Sequence, residues 1–167
     1  MYTIRNILLS IIVLLPLTIS SPRMRDLSRD NIMYLKQLTL FTKILNAEYY
    51  GESLQSKING GSVILNRLNH KAFPKTLRAV IFQKNQFAVN GKKFLIDTSV
   101  YTKQSLQAAM LLLTFGSQLP PNIVYFHNPK TIKNKKWEYK IKKKLYMCDE
   151  VHCYFSYWDI IIIGGYD

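Results

Sequence analysis

The chain has 167 residues, 48% of them apolar, which is enough for one compact domain with a core and too short for two of ordinary size. Lys and Arg number 23 against 10 Asp and Glu, a formal net charge of +13. Such a surface calls for an anionic partner, whether nucleic acid, acidic lipid or an acidic wall polymer, and charge alone does not choose among them.

The N-terminus narrows the choice. Arg5 precedes an apolar run over residues 7–19, followed by the small residues Ser20 and Ser21. The run is about 13 residues and holds Pro16, whereas a relaxed spanning helix needs about 20, so residues 1–20 read as a signal peptide cleaved near Ser20. The alternative is a short uncleaved anchor, because Ile19 spoils one small-x-small site and Arg23 and Arg25 follow closely. Either reading exports the remainder, which argues against a nucleic-acid partner. Residues 21–30 then read as a linker or the lead into the first helix, and residues 31–167 as the folded domain.

Beyond Asn31, helical spacing joins Leu38, Phe41, Ile44, Leu45 and Ala47, and Gly51 supplies a stop. Ser53 is placed to cap a second helix with the stripe Leu54, Ile58, Gly61, Leu65 and Leu68. Its Gly60-Gly61 pair costs helix stability at about 1 kcal/mol each, so the pair predicts close packing or a kink. After Phe73-Pro74, residues 76–82 form a short helix burying Leu77, Val80 and Ile81, and residues 83–98 read as loop. A third long helix over residues 102–115 turns Leu106, Ala109, Met110 and Leu113 inward and ends before Gly116. The β-branched and aromatic runs 123–126 and 151–158 read as strands of one small sheet, and the isoleucine-rich tail 159–167 as a last strand. Residues 130–144 carry eight lysines interleaved with Trp137, Tyr139 and Ile141. This is either an exposed strand or hairpin that binds a polyanion, or a face that only keeps the protein soluble.

With so few acids, a carboxylate inside an apolar helical stripe stands out. Glu48 shares the face of Phe41, Ile44 and Leu45 at the C-terminal end of the first helix. Burial there and the negative end of the helix dipole predict a raised pKa, the property of a general acid. Glu52 follows by four residues, but Gly51 redirects it, which leaves Glu52 and Gly51 with structural roles at the turn. Cys148 and Cys153 are the two cysteines. They either pair across a tight hairpin or, with His152, offer a zinc site, against which stands the opposed direction of adjacent side chains on a strand.

The segment ILNAEYYGES, then GGSVILNRLN, FPKTLRAVIFQKNQF, VYFHNP and VHCYF, resembles in order and spacing the SleB-type cell wall hydrolases, the family of the spore-cortex-lytic enzymes. The similarity runs over residues 40–158. It is carried by A-E-x-x-G-E at residues 47–52, L-N-R at residues 65–67 and Gln86-Phe87. The resemblance implies an α+β fold, mainly helical with a small antiparallel sheet, lysozyme-like or transglycosylase-like, in a monomer. It implies a lytic transglycosylase acting on peptidoglycan glycan strands, with Glu48 as the single catalytic acid and base, no cofactor and no metal. Tyr50, Asn66, Gln86, Tyr125, Asn128 and His152 are its candidate substrate contacts, by hydrogen bonding or stacking on sugar. The chain departs from the pattern at Tyr49-Tyr50, which replaces a small residue and an Arg, at Ala88 and at Cys153. Hydrolysis by the same acid, an amidase, with or without zinc, that cuts peptide from sugar, and a non-catalytic wall-polymer binder using residues 130–144 are the competing readings.

Overall fold

The computed structural model describes residues 24–84, 86–87, 101–131 and 141–157. Among them are four α-helices, α1 Met24–Glu48, α2 Leu54–Asn69, α3 Leu77–Ile81 and α4 Lys103–Phe115, and three strands, β1 Ile123–His127, β2 Leu145–Cys148 and β3 Cys153–Ser156. The chain divides into two units, Met1–Met33 and Tyr34–Asp167; the described part of the first is helical. Residues 24–30 lie in α1. Residues 1–20, expected to direct export, residues 88–98 of the expected 83–98 loop, most of the lysine run and the tail lie outside the described residues.

Local chemistry sets the helix ends. Ser53 is extended and accepts the Ser56 N–H at 3.2 Å, and Thr102 does the same for Ser105 at 3.2 Å, so one orphan amide of α2 and one of α4 is satisfied at each start. Gly51 and Gly116 end α1 and α4 with φ of 75° and 78°, a region that costs other residues about 1–2 kcal/mol. Asn46 of α1 binds the start of α4, accepting from the Thr102 N–H at 3.0 Å and the Ser105 hydroxyl at 3.2 Å.

Helix α2 runs unbroken through its glycine pair and is buried continuously from Ser56 to Arg67. The sequence stripe predicts burial along one face only; the helix is enclosed on all sides. Lys57, Asn59, Asn66 and Arg67 on it hydrogen-bond to neighbouring elements. A Cβ on Gly60 would overlap the Tyr49 ring, and one on Gly61 would overlap Leu112 and press on Leu45 and Phe41 at 3.2 and 3.3 Å. The pair therefore marks close approach and not a kink.

Around α2 the main core joins Phe41, Ile44 and Leu45 of α1, Tyr49 of the turn that follows, Ile58 and Ile64 of α2, Val80 and Ile81 of α3, and Ala108, Ala109 and Leu112 of α4. Each large side chain so enclosed contributes about 1.5–3 kcal/mol. The inner face of α4 is rotated from the sequence expectation: Met110 is 47% exposed, Leu106 and Leu113 are half-buried, and Ser105, Ala108, Ala109 and Leu112 face the core.

The sheet is antiparallel with order β1-β3-β2. Tyr125, Phe126 and His127 face Phe155, Tyr154 and Cys153, while Met147 and Cys148 face Tyr154 and Cys153 across the hairpin. Strand β2 follows the lysine run, whose described ends are not strand: Pro129–Thr131 is a 3-10 turn, and residues 141–142 are helical. A mainly helical α+β architecture with a small antiparallel sheet is what the family resemblance implies.

Candidate active site

Glu48 is the last residue of α1, half-buried, and the turn that follows it carries Gly51 and leads to Glu52. The Tyr49 carbonyl holds this turn. It accepts the Glu52 N–H at 3.2 Å and a second hydrogen bond from the Lys57 ammonium on α2. The Tyr49 ring is fully buried, lying over Gly60 and 5.5 and 5.0 Å from the rings of Phe126 and His152. Burial pushes its phenol pKa well up, and the nearby Tyr154, Glu48, Glu52 and Asp149 add to that, so the ring is a neutral wedge.

On the other side of the turn stands the β2–β3 hairpin. His152, 7% exposed, places Nδ1 3.3 Å from Glu52 Oε2. Burial lowers the imidazole pKa against the pull of Asp149. Burial, then the Asp149 charge, raises that of Glu52, with Lys57 and the Ser56 hydroxyl opposing. Asp149 organises the tip. Its Oδ1 accepts the N–H groups of His152 at 2.8 Å and Val151 at 3.1 Å, and its Oδ2 accepts the Tyr154 hydroxyl at 2.6 Å and Asn59 Nδ2 at 3.2 Å. Burial alone would raise the Asp149 pKa, but these donors outweigh it and hold the carboxyl below the usual range. The phenol of Tyr154 is raised far beyond its ordinary range by burial and by the bond to Asp149.

Cys148 and Cys153 are joined in a disulfide that brackets this tip, which consumes both thiolates that a zinc site would use. No group of three His, Cys, Asp or Glu among the described residues is arranged to hold a metal.

The sequence-predicted residues fall into two groups. Glu48, Gly51, Glu52 and His152 meet at the turn, joined by exposed Tyr50, which is 75% accessible. His152 packs inside, against the rings of Tyr49 and Phe126. Asn66 and Tyr125 belong to a second centre around Arg67, ten positions further along α2 than Lys57 and so about 15 Å away. There Asn66 spends both amide hydrogens on the carbonyls of Pro120 at 2.8 Å and Ile123 at 2.9 Å, which ties α2 to the start of β1. Arg67 is 3% exposed, donates to the Val124 carbonyl at 2.6 Å, and lies 5.2, 5.3 and 5.5 Å from the ring centres of Phe73, Phe87 and Tyr125. Tyr125 therefore caps a cation and stacks on Tyr157. Asn128 shapes its own turn, accepting the Lys130 N–H at 2.9 Å on its side chain. Gln86 is half-buried, with its N–H on the Gln83 carbonyl.

Lys57, Asn59 and Asp149 were not singled out by the sequence, and Tyr49 only as a departure from the family pattern. Two signals point to them: the glycine pair, which announces close approach to that stretch of α2, and the scarcity of acids, which makes an aspartate between two cysteines unusual.

Comparison with known proteins adds the following. A family model described as cell wall hydrolase matches residues 51–155, beginning three residues after Glu48 and including Glu52. The catalytic domain of the germination-specific lytic transglycosylase SleB from Bacillus anthracis superposes with a TM-score of 0.62 at 19% identity, covering 72% of this chain and 93% of that one. The catalytic domain of the Bacillus cereus SleB protein gives 0.59 at 19%, covering 73% and 91%. Among curated proteins nothing matches. The likeness to the two structures is one of fold. The family match runs from the turn at Gly51 through α2 to Phe155 in the hairpin, taking in both walls that support the turn, and the chain belongs to the cell wall hydrolases.

Proposed function

We propose that this enzyme cuts the glycan strand of peptidoglycan between N-acetylmuramic acid and N-acetylglucosamine, with Glu48 as acid and then base. The observation that carries the reading is the placement of Glu48: a half-buried carboxyl at the end of α1, on a turn held by α2 from one side and by the hairpin from the other. A carboxyl group so placed protonates the glycosidic oxygen as the bond to the anomeric carbon breaks. The resulting carboxylate takes the proton of the muramic 6-hydroxyl as that oxygen closes on the anomeric carbon. An anhydro sugar leaves and the carboxyl is restored. Glu52 lies against His152, and its charge acts on Lys57, which supports a role in the scaffold and not as a second carboxylate across the scissile bond.

The lytic outcome is supported by the fold shared with two SleB catalytic domains, one of them titled a lytic transglycosylase. Export through the N-terminal apolar segment, binding of anionic wall polymers by residues 130–144 and action as a monomer complete the proposal. An endolysin role fits the same reading. Purified peptidoglycan digested with the protein and analysed by mass spectrometry tests it. Anhydro-muramic ends that vanish in Glu48→Gln are expected; reducing ends would assign a hydrolase, and full activity of Glu48→Gln would remove Glu48 from the chemistry.

A further inference from the structure

We propose that Lys57 is the positioning residue of this site, a buried ammonium that clamps the Tyr49 carbonyl and thereby fixes the end of α1 that carries Glu48. The inference rests on the reading of Glu48 as the acid.

Lysine is among the residues least often enclosed, because its ammonium loses its hydration. Lys57 is nevertheless 1% exposed, in the middle of a helix whose neighbouring positions are core. Among the described residues its hydrogen bond goes to a single backbone oxygen, that of Tyr49. The same oxygen accepts the Glu52 N–H at 3.2 Å, while the Tyr49 N–H closes the last turn of α1 on the Leu45 carbonyl at 3.1 Å. A cation here faces the negative end of α1, where carbonyls lack helical partners. Glu52 is near enough for its charge to act on the ammonium. An apolar side chain of equal length would fill the same space with no desolvation cost. What the ammonium adds is a directional hold on the residue next to Glu48. Without it the segment from Glu48 to Glu52, already hinged at Gly51 with φ 75°, keeps one backbone hydrogen bond across the turn.

The test compares the full-length wild type with Lys57→Met, Lys57→Gln and Lys57→Arg, measuring kcat and KM on purified peptidoglycan together with amide hydrogen exchange over residues 46–54. Lys57→Met is expected to lose at least about tenfold in kcat with KM little changed, since a small displacement of a catalytic group is costly. Exchange at residues 49–52 rises while that of α4 stays at the wild-type rate, and Lys57→Arg recovers part of both. Wild-type exchange at residues 49–52 in Lys57→Met, or kcat within about twofold of wild type, overturns the assignment. So does failure of both neutral variants to fold, which would show a purely structural lysine. If Glu48→Gln is fully active, the acid assignment fails on its own, and the exchange data still decide whether Lys57 holds the turn.

Discussion

His152 Nδ1 lies 3.3 Å from Glu52 Oε2, at the meeting of the hairpin tip and the turn after α1. Both groups are shifted by burial toward their neutral forms, His152 downward and Glu52 upward. The folded state therefore resists protonation of His152. As pH falls below the unfolded histidine value of about 6.5, the unfolded chain takes up a proton that the native chain refuses, and stability declines down to the native pKa. Thermal melting of wild type should fall between about pH 7 and about pH 5 more steeply than that of His152→Gln. Parallel pH profiles would refute the buried-neutral assignment. Glu52 has the opposite sign: its raised pKa costs stability once pH rises through its native value, a cost that Glu52→Gln removes.

Asp149 accepts four hydrogen bonds, from two backbone amides, Tyr154 and Asn59. Asp149→Ala strands those donors and is expected to cost about 3–5 kcal/mol in chemical unfolding, with Asp149→Asn losing less. The depressed Asp149 pKa means that its contribution is complete above the ordinary aspartate value of about 3.9 and is lost as pH falls through the native value. Asp149→Asn should lack that acid limb of the stability curve.

Asn66 and Arg67 tie α2 to the 120–124 segment, and neither is placed on the turn with Glu48. Asn66→Ala is expected to cost about 1–3 kcal/mol, and Arg67→Lys a similar amount because the guanidinium plane packed among three rings is lost. In both variants KM for peptidoglycan should stay at the wild-type value wherever the protein remains folded. A rise in KM without a fall in melting temperature would return Asn66 to the substrate.

Reduction, or the pair Cys148→Ser and Cys153→Ser, opens a six-residue loop in the hairpin. Chain entropy gives a loss of about 2 kcal/mol for so short a closure. Activity should fall with it, because the bracketed tip carries His152. Melting and peptidoglycan digestion with and without a thiol reductant measure both, and an unaffected digestion would show that the tip holds its place without the covalent tie.

How far these features can be read from the sequence depends on whether a residue's job is local. Ser53, Thr102, Gly51 and Gly116 act on their own turns, and their roles follow from residue type alone. Glu48 is legible from its helical face and motif. Lys57 and Asn59 are not, because a polar residue on a helix enclosed from all sides looks like a solvated one until its partner is known, and those partners lie 8 and 90 residues away. Leu112 and Met110 exchange places because both are apolar and the helix stripe is nearly continuous there. Strand β2 goes unnoticed because it is a largely exposed edge after a lysine run, with no inward alternation to reveal it.

The contact of Tyr49 with Gly60 makes two positions one packing decision. The space that the Tyr49 ring fills, on the turn next to Glu48, is the space that a side chain at position 60 of the central helix would occupy. A change at either position alone leaves a clash or a void, whereas Tyr49→Ala combined with Gly60→Val restores the sum. The two sites should therefore covary among relatives of this enzyme, and a lineage can cross between the two arrangements only through an intermediate that is poorly packed beside Glu48.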